Sequence, residues 1–223
     1  MTRGRIEAVI FDLDGVLVDT EPFFHAAINA FVAPSELTNA QYARILGMSD
    51  RDTTTLLREQ FGFDEPLEAL HKRRVEFVYQ KLQAAILAPL EGAVVLLDAL
   101  EVAGCAVAMA SGSPRPWVEA TLRAIGLADR FPLVVTGSDV TAGKPAPDIY
   151  LLAAGRLDVP PIRCLAIEDS VPGLLAASAA GMTSVQLRQS SLVPPPQSSA
   201  QAVIDSYADF DLGWLDGAPF PVR

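Results

Sequence analysis

The 223-residue sequence predicts an α/β chain: a doubly wound parallel sheet interrupted by an inserted all-helical domain. Two observations carry this. After Gly92, short apolar runs of strand length alternate with stretches of helical periodicity, the pattern of a parallel sheet covered by helices on both faces. Before Gly92, one strand-like run stands apart from its fellows, separated from them by a long, purely helical stretch.

In chain order, residues 6–11 form the first run, rich in β-branched and aromatic side chains, as in a strand buried on both faces. From 21 to about 87 the pattern is helical: Phe23, Ala27, Ile28 and Phe31 recur at helical spacing, as do Leu56, Leu57 and Phe61. So do Leu67, Leu70, Val75, Phe77, Val78 and Leu82. Pro89-Leu90-Glu91-Gly92 marks a boundary. Strands are then expected at 105–110, 133–135, 164–167, 183–187 and 202–204. Helices are expected at 116–125, 147–157 and 172–180, the last closed by Gly181. Residues 190–199, with three consecutive prolines, read as a surface loop or short linker. The first strand belongs with the later ones, so the sequence divides into a Rossmann-like core, 1–17 with 89–223, and a helical cap domain, 18–88. Hinges are expected near 16–20 and 88–92.

Hydrophobic residues at 50% and charged residues at 20% describe a chain able to bury a sizeable core. A formal net charge of -10 argues against a nucleic-acid or anionic-membrane surface, and an anionic ligand would need a local cation or metal. The two cysteines, Cys105 and Cys164, open apolar runs and fit buried side chains in a reducing compartment. No signal peptide is expected, and charges interrupt the apolar stretches before membrane-spanning length. Cytoplasm is the default location. Oligomeric state is open, with a monomer favoured.

In open parallel sheets, ligands bind at the carboxyl ends of the strands. The first strand ends in Asp12 and Asp14, two acids that face one point if extension continues, followed by Gly15 where the chain can turn. A strand–turn–helix junction with a capping Asp would look the same. The next strand runs into Ser111-Gly112-Ser113-Pro114, small hydroxyl residues on a turn suited to holding an anion. Gly143-Lys144-Pro145 supplies one ammonium, and Glu168-Asp169-Ser170 a second acidic pair. Each motif alone reads as a helix cap, a surface charge or a loop acid. Together, at successive strand ends, four acids, one ammonium and two hydroxyls suit phosphoryl transfer. Carboxylates hold Mg²⁺, the ammonium and hydroxyls hold phosphate oxygens, and one carboxylate attacks phosphorus.

The motifs Asp12–Thr20, Ser111-Gly112-Ser113, Gly143–Asp148 and Ile167–Ser170 resemble the four motifs of the haloacid dehalogenase superfamily, in its branch of helical-capped phosphatases and β-phosphoglucomutases. The resemblance spans essentially the whole chain. It implies Asp12 as the nucleophile that forms an aspartyl phosphate, and Asp14 as general acid and then base. It implies Ser111 and Lys144 as holders of the phosphoryl oxygens. Mg²⁺ ligands would be Asp12, the backbone carbonyl of Asp14, and Asp169, with Glu168 as a ligand or neighbouring acid. Dehalogenases of the superfamily lack the second aspartate, so Asp14 argues against dehalogenation.

Phosphatase and mutase are harder to separate. The mutase-branch histidine position is Phe24 here, with His25 one further on, and the expected cap lysine is Leu46, whereas Arg51 matches. That favours hydrolysis of one small phosphorylated metabolite, with Arg51 and Glu21 as candidate cap contacts. Mutase activity is the alternative. A phospho-aspartate signalling receiver explains neither the helical insertion nor Asp14.

Overall fold

The computed structural model describes residues 4–45 and 50–221. The chain divides into two compact units, Met1–Asp19 with Ile86–Arg223, and Thr20–Ala85. Residues close to both crossings are tied into the first unit: Leu90 N donates to Leu17 O (2.8 Å), Leu87 N to Ala124 O (3.0 Å), and Ser191 N to the Asp19 carboxylate (3.0 Å).

The first unit is built on β1 (Ala8–Phe11), β2 (Ala106–Ser111), β3 (Val134–Thr136), β4 (Cys164–Glu168), β5 (Thr183–Leu187) and β6 (Ala202–Ile204). They form one parallel sheet in the order β3-β2-β1-β4-β5-β6. The strand that stood apart in sequence is thus central in space, and the strand order reverses beside it. Period-two alternation sends its side chains to two different cores. Val9 and Phe11 join Met109, Leu165 and Ile167 in a cluster of large side chains. Ala8 and Ile10 join Ala108, Ala110 and Ala166 in a cluster dominated by alanine.

The helices follow that division. Those of the second unit are α1 (Glu21–Val32), α2 (Asn39–Ile45), α3 (Asp50–Phe61) and α4 (Leu67–Gln83). In the first unit, α5 (Ala93–Val102) and α6 (Arg115–Ala124) contribute to the large-residue core with Trp214 and Phe210 of the C-terminal segment. Helices α7 (Asp148–Leu157) and α8 (Val171–Ala179) pack on the alanine face through Ala153, Ala154, Ala176 and Ala177, so small side chains meet small. Both cysteines are buried and unpaired. The second unit closes its own core around Ile28, Phe31, Leu37, Tyr42, Leu57 and Leu70.

Two details differ from the sequence reading. The helical stretch ends at Gln83 rather than near 87, because Ala84 caps α4 and the chain then runs towards Pro89 without helical bonds. Helix α5 lies in a segment for which no element was expected; Ala93, Leu96, Leu97 and Leu100 form its buried face. The proline-rich loop is pinned, with Gln186 Nε2 donating to Pro194 O and Pro195 O (3.3 Å each). Among the described residues, no helix is long and apolar enough to cross a membrane.

Candidate active site

The register of the sheet builds the site. Phe11 aligns with Met109 on one side and Ile167 on the other, and Asp12 N continues the ladder to Ile167 O (3.0 Å). The next residues along β1 and β4, Asp12 and Glu168, therefore emerge side by side. Beyond Asp12 the chain reverses tightly: Leu17 N and Gly15 N donate to Leu13 O and Val18 O (2.8 Å each). Gly15 has φ +76°, and a Cβ there would lie 1.9 Å from Asp169 Oδ2, so the turn needs glycine for both conformation and space.

Lys144 joins the motifs. Its ammonium donates to Asp12 Oδ1 (2.6 Å), Glu168 Oε1 (2.5 Å) and Ala110 O (3.0 Å), matching its three N–H groups to three acceptors. Asp12 is 7% exposed and Glu168 is fully buried. Glu168 also accepts from Tyr150 Oη (2.6 Å) and Ser170 Oγ (3.0 Å). Its carboxyl lies flat against Gly173, where a Cβ would stand 1.9 Å from Oε1. Asp14 Oδ2 accepts from Ser113 Oγ (3.1 Å), and Ser111 Oγ accepts from Ser113 N (3.1 Å). Gly112 lies against Gly137, whose own Cβ would fall 2.2 Å from Gly112 O.

Asp12, Glu168 and Asp169 each place an oxygen within 4.8 Å of the others. Fully ionised, these three carboxylates and one ammonium leave two uncompensated negative charges in a buried place. The electrostatics register that excess. Burial, with Glu168 and Asp14 adding to it against Lys144, pushes the Asp12 carboxyl up to about 7. Burial and the charges of Asp12, Glu168 and Asp14 push Asp169 up to about 8. Burial opposes the charge on Lys144, yet Asp12 and Glu168 hold its ammonium above the usual lysine value. An all-oxygen donor set with a charge excess of this size fits a hard divalent cation.

The sequence candidates in the first unit thus converge: Asp12, Lys144, Glu168 and Asp169 in one cluster, and Asp14 joined through Ser113 Oγ to the Ser111–Ser113 turn. The Asp14 carboxylate is not a member of the three-acid group, and its expected metal contact was through its backbone carbonyl. Glu21 and Arg51 belong to the helical unit and have partners there. Glu21 accepts from Tyr42 Oη (2.6 Å), and Arg51 pairs with Glu68. Leu46 lies outside the described residues. Tyr150 and the Ala110 carbonyl were missed. The tyrosine could have been flagged, because a phenol in an apolar helical run needs a buried hydrogen-bond partner.

Among known proteins, the chain is similar to the "Phosphorylated carbohydrates phosphatase" of Thermotoga maritima, 35% identical over 79% of this chain and 82% of that one. It is also similar to the "N-acetylmuramic acid 6-phosphate phosphatase" of Pseudomonas aeruginosa, 30% identical over 92% and 93% of the two chains. A solved structure of a CbbY variant from Rhodobacter sphaeroides, in complex with xylulose-(1,5)bisphosphate, superposes with TM-score 0.78. It is 28% identical and covers 95% of this chain and 99% of that one. Residues 6–181 match the model of the haloacid dehalogenase-like hydrolases, a span that takes in the ends of β1 to β4, where the site residues lie. With that match and that convergence of acids on one lysine, the chain belongs to the haloacid dehalogenase-like hydrolase family.

Proposed function

We propose that this phosphatase is Mg²⁺-dependent and hydrolyses a small phosphorylated metabolite, most simply a sugar phosphate, through an aspartyl phosphate on Asp12. The observation that carries the reading is the cluster itself: three carboxylates within 4.8 Å, two of them gripped by a buried lysine. The names of the Thermotoga and Pseudomonas relatives and the bisphosphate held by the CbbY structure support the substrate class.

Asp12, Asp169 and Glu168 would hold the cation, with the Asp14 carbonyl as a further oxygen. When bound, it neutralises the charge excess and polarises the phosphoryl group. In the first step an Asp12 carboxylate oxygen attacks phosphorus, and the bond from phosphorus to the ester oxygen breaks. Asp14 gives its proton to the departing alkoxide. In the second step Asp14 takes a proton from water. The hydroxyl attacks phosphorus, and the bond to Asp12 breaks, releasing phosphate and restoring the carboxylate. Lys144 fixes the attacking carboxylate, Ser113 orients Asp14, and Ser111 with the Gly112 turn receives the phosphoryl oxygens. The core unit (1–17, 89–223) carries this chemistry and the cap (18–88), with Glu21 and Arg51, selects the substrate.

The test is phosphate release from a panel of phosphorylated sugars and short phosphorylated acids, with Mg²⁺ or chelator, for wild type and Asp12→Asn. Release that requires Mg²⁺ and vanishes in the variant is expected. Undiminished release by Asp12→Asn would refute the nucleophile assignment. Conversion of a hexose 1-phosphate to its isomer without net phosphate release would replace the phosphatase by a mutase.

A further inference from the structure

We propose that Tyr150, outside the four sequence motifs, is a positioning residue that sets how the Lys144 ammonium is divided between Glu168 and the attacking Asp12. The proposal rests on the reading of Asp12 as nucleophile.

Two carboxylates compete for one nitrogen at nearly equal distance, 2.5 Å from Lys144 Nζ to Glu168 and 2.6 Å to Asp12. How tightly each holds the ammonium depends on how much negative charge its oxygen retains. Tyr150 Oη donates at 2.6 Å to Glu168 Oε1, the same oxygen that Lys144 uses. Ser170 Oγ donates to the other Glu168 oxygen at 3.0 Å. Hydrogen bonds to an anion draw down its charge, and they are strong where water is excluded. Glu168 is therefore a weakened competitor, and Asp12 keeps its share of the ammonium. The Tyr150 ring also lies 5.3 Å from Lys144 Nζ, within cation–π range. Tyr150 is fully buried at the alanine-faced core, so substrate has no access to it. Its influence passes through Glu168 and Lys144 alone.

Ring and hydroxyl have separable roles, and Tyr150→Phe keeps the ring while deleting the donor. Glu168 Oε1 then regains charge, draws Lys144 towards itself, and loosens the hold on Asp12. The chemical step slows and substrate binding does not change.

The experiment measures kcat and KM for wild type, Tyr150→Phe, Glu168→Gln and the double variant, with an aryl phosphomonoester and Mg²⁺. It also records the ¹⁵N resonance of the Lys144 ammonium in wild type and Tyr150→Phe. Expected for Tyr150→Phe are a kcat about tenfold lower with KM within about twofold. A shifted Lys144 signal is expected, and no further effect of the substitution once Glu168 is glutamine. An unshifted Lys144 resonance, a kcat within about twofold of wild type, or an equal loss in the Glu168→Gln background would overturn the proposal. If wild type hydrolyses no phosphomonoester, it is the phosphatase reading that fails. The ammonium resonance still decides whether Tyr150 governs Lys144.

Discussion

Replacing Asp169 by asparagine is expected to stabilise the metal-free protein at neutral pH and to remove its protection by Mg²⁺. The Asp169 carboxyl is raised from 3.8 to about 8, chiefly by burial and then by its acidic neighbours. Between these two values the native state keeps a proton that the unfolded state has released, so the native state binds more protons. Native stability therefore falls as pH rises through this window, the reverse of a carboxylate in a favourable ion pair. Each pH unit is worth about 1.4 kcal/mol for a fully shifted group, or nearly 3 kcal/mol from pH 5 to 7. Asp169 is only partly buried, and solvent screening reduces this to about 1–2 kcal/mol.

The assay is thermal unfolding in chelator at pH 5 and pH 7, comparing wild type with Asp169→Asn. At about 2–4 °C per kcal/mol for a chain of this size, wild type should lose about 2–8 °C more than the variant over that interval. Millimolar Mg²⁺ should restore the loss in wild type at pH 7, do little at pH 5, and leave the variant unmoved. Equal pH slopes for the two proteins would refute the claim that the site holds uncompensated charge. So would a wild type that gains stability from pH 5 to 7 relative to the variant.

Ser113→Ala removes the donor to Asp14 and should lower kcat about fivefold to tenfold with little change in KM. The loss should be larger for alkyl than for aryl phosphates, whose leaving groups need less protonation; an equal loss for both would separate Ser113 from the proton transfer. Gly173→Ala drives a methyl to 1.9 Å from Glu168 Oε1 and should cost about 1–3 kcal/mol in stability, read from urea unfolding, together with most of the activity. Gly15→Ala combines φ +76° with a clash against Asp169 and should weaken Mg²⁺ binding measured by calorimetry, even where the fold survives.

The sheet was legible because each strand is an apolar run ended by a turn residue or a charged one. The strands at 183–187 and 202–204 match residue for residue, and β2, β3 and β4 differ from expectation by a residue at their ends. Helix α5 was passed over although Ala93, Leu96, Leu97 and Leu100 have the right spacing, because a sequence as apolar as Ala-Val-Val-Leu-Leu hides one face among several. At the site, residue types were readable and their partners were not. Lys144 and Asp12 are separated by 132 positions, and only the strand order brings them to 2.6 Å. That Lys144 serves two carboxylates, and that Tyr150 stands behind one of them, follows from packing on the alanine face. No local pattern encodes it.

That alanine face explains how so much charge is tolerated inside the protein. With Ala108, Ala110 and Ala166 on the strands and Ala153, Ala154, Ala176 and Ala177 on the helices, α7 and α8 approach the sheet closely. The approach carries the Tyr150 hydroxyl and the Ser170 cap of α8 onto Glu168, and Gly173 leaves room for its carboxyl. A larger side chain at Ala110 or Ala166 would push the helices outward and strip Glu168 of its donors, leaving a buried carboxylate beside a lysine that would then favour it over Asp12. The small residues of the core and the acids of the site are thus one requirement: the nucleophile is held only while the helices stay close to the sheet.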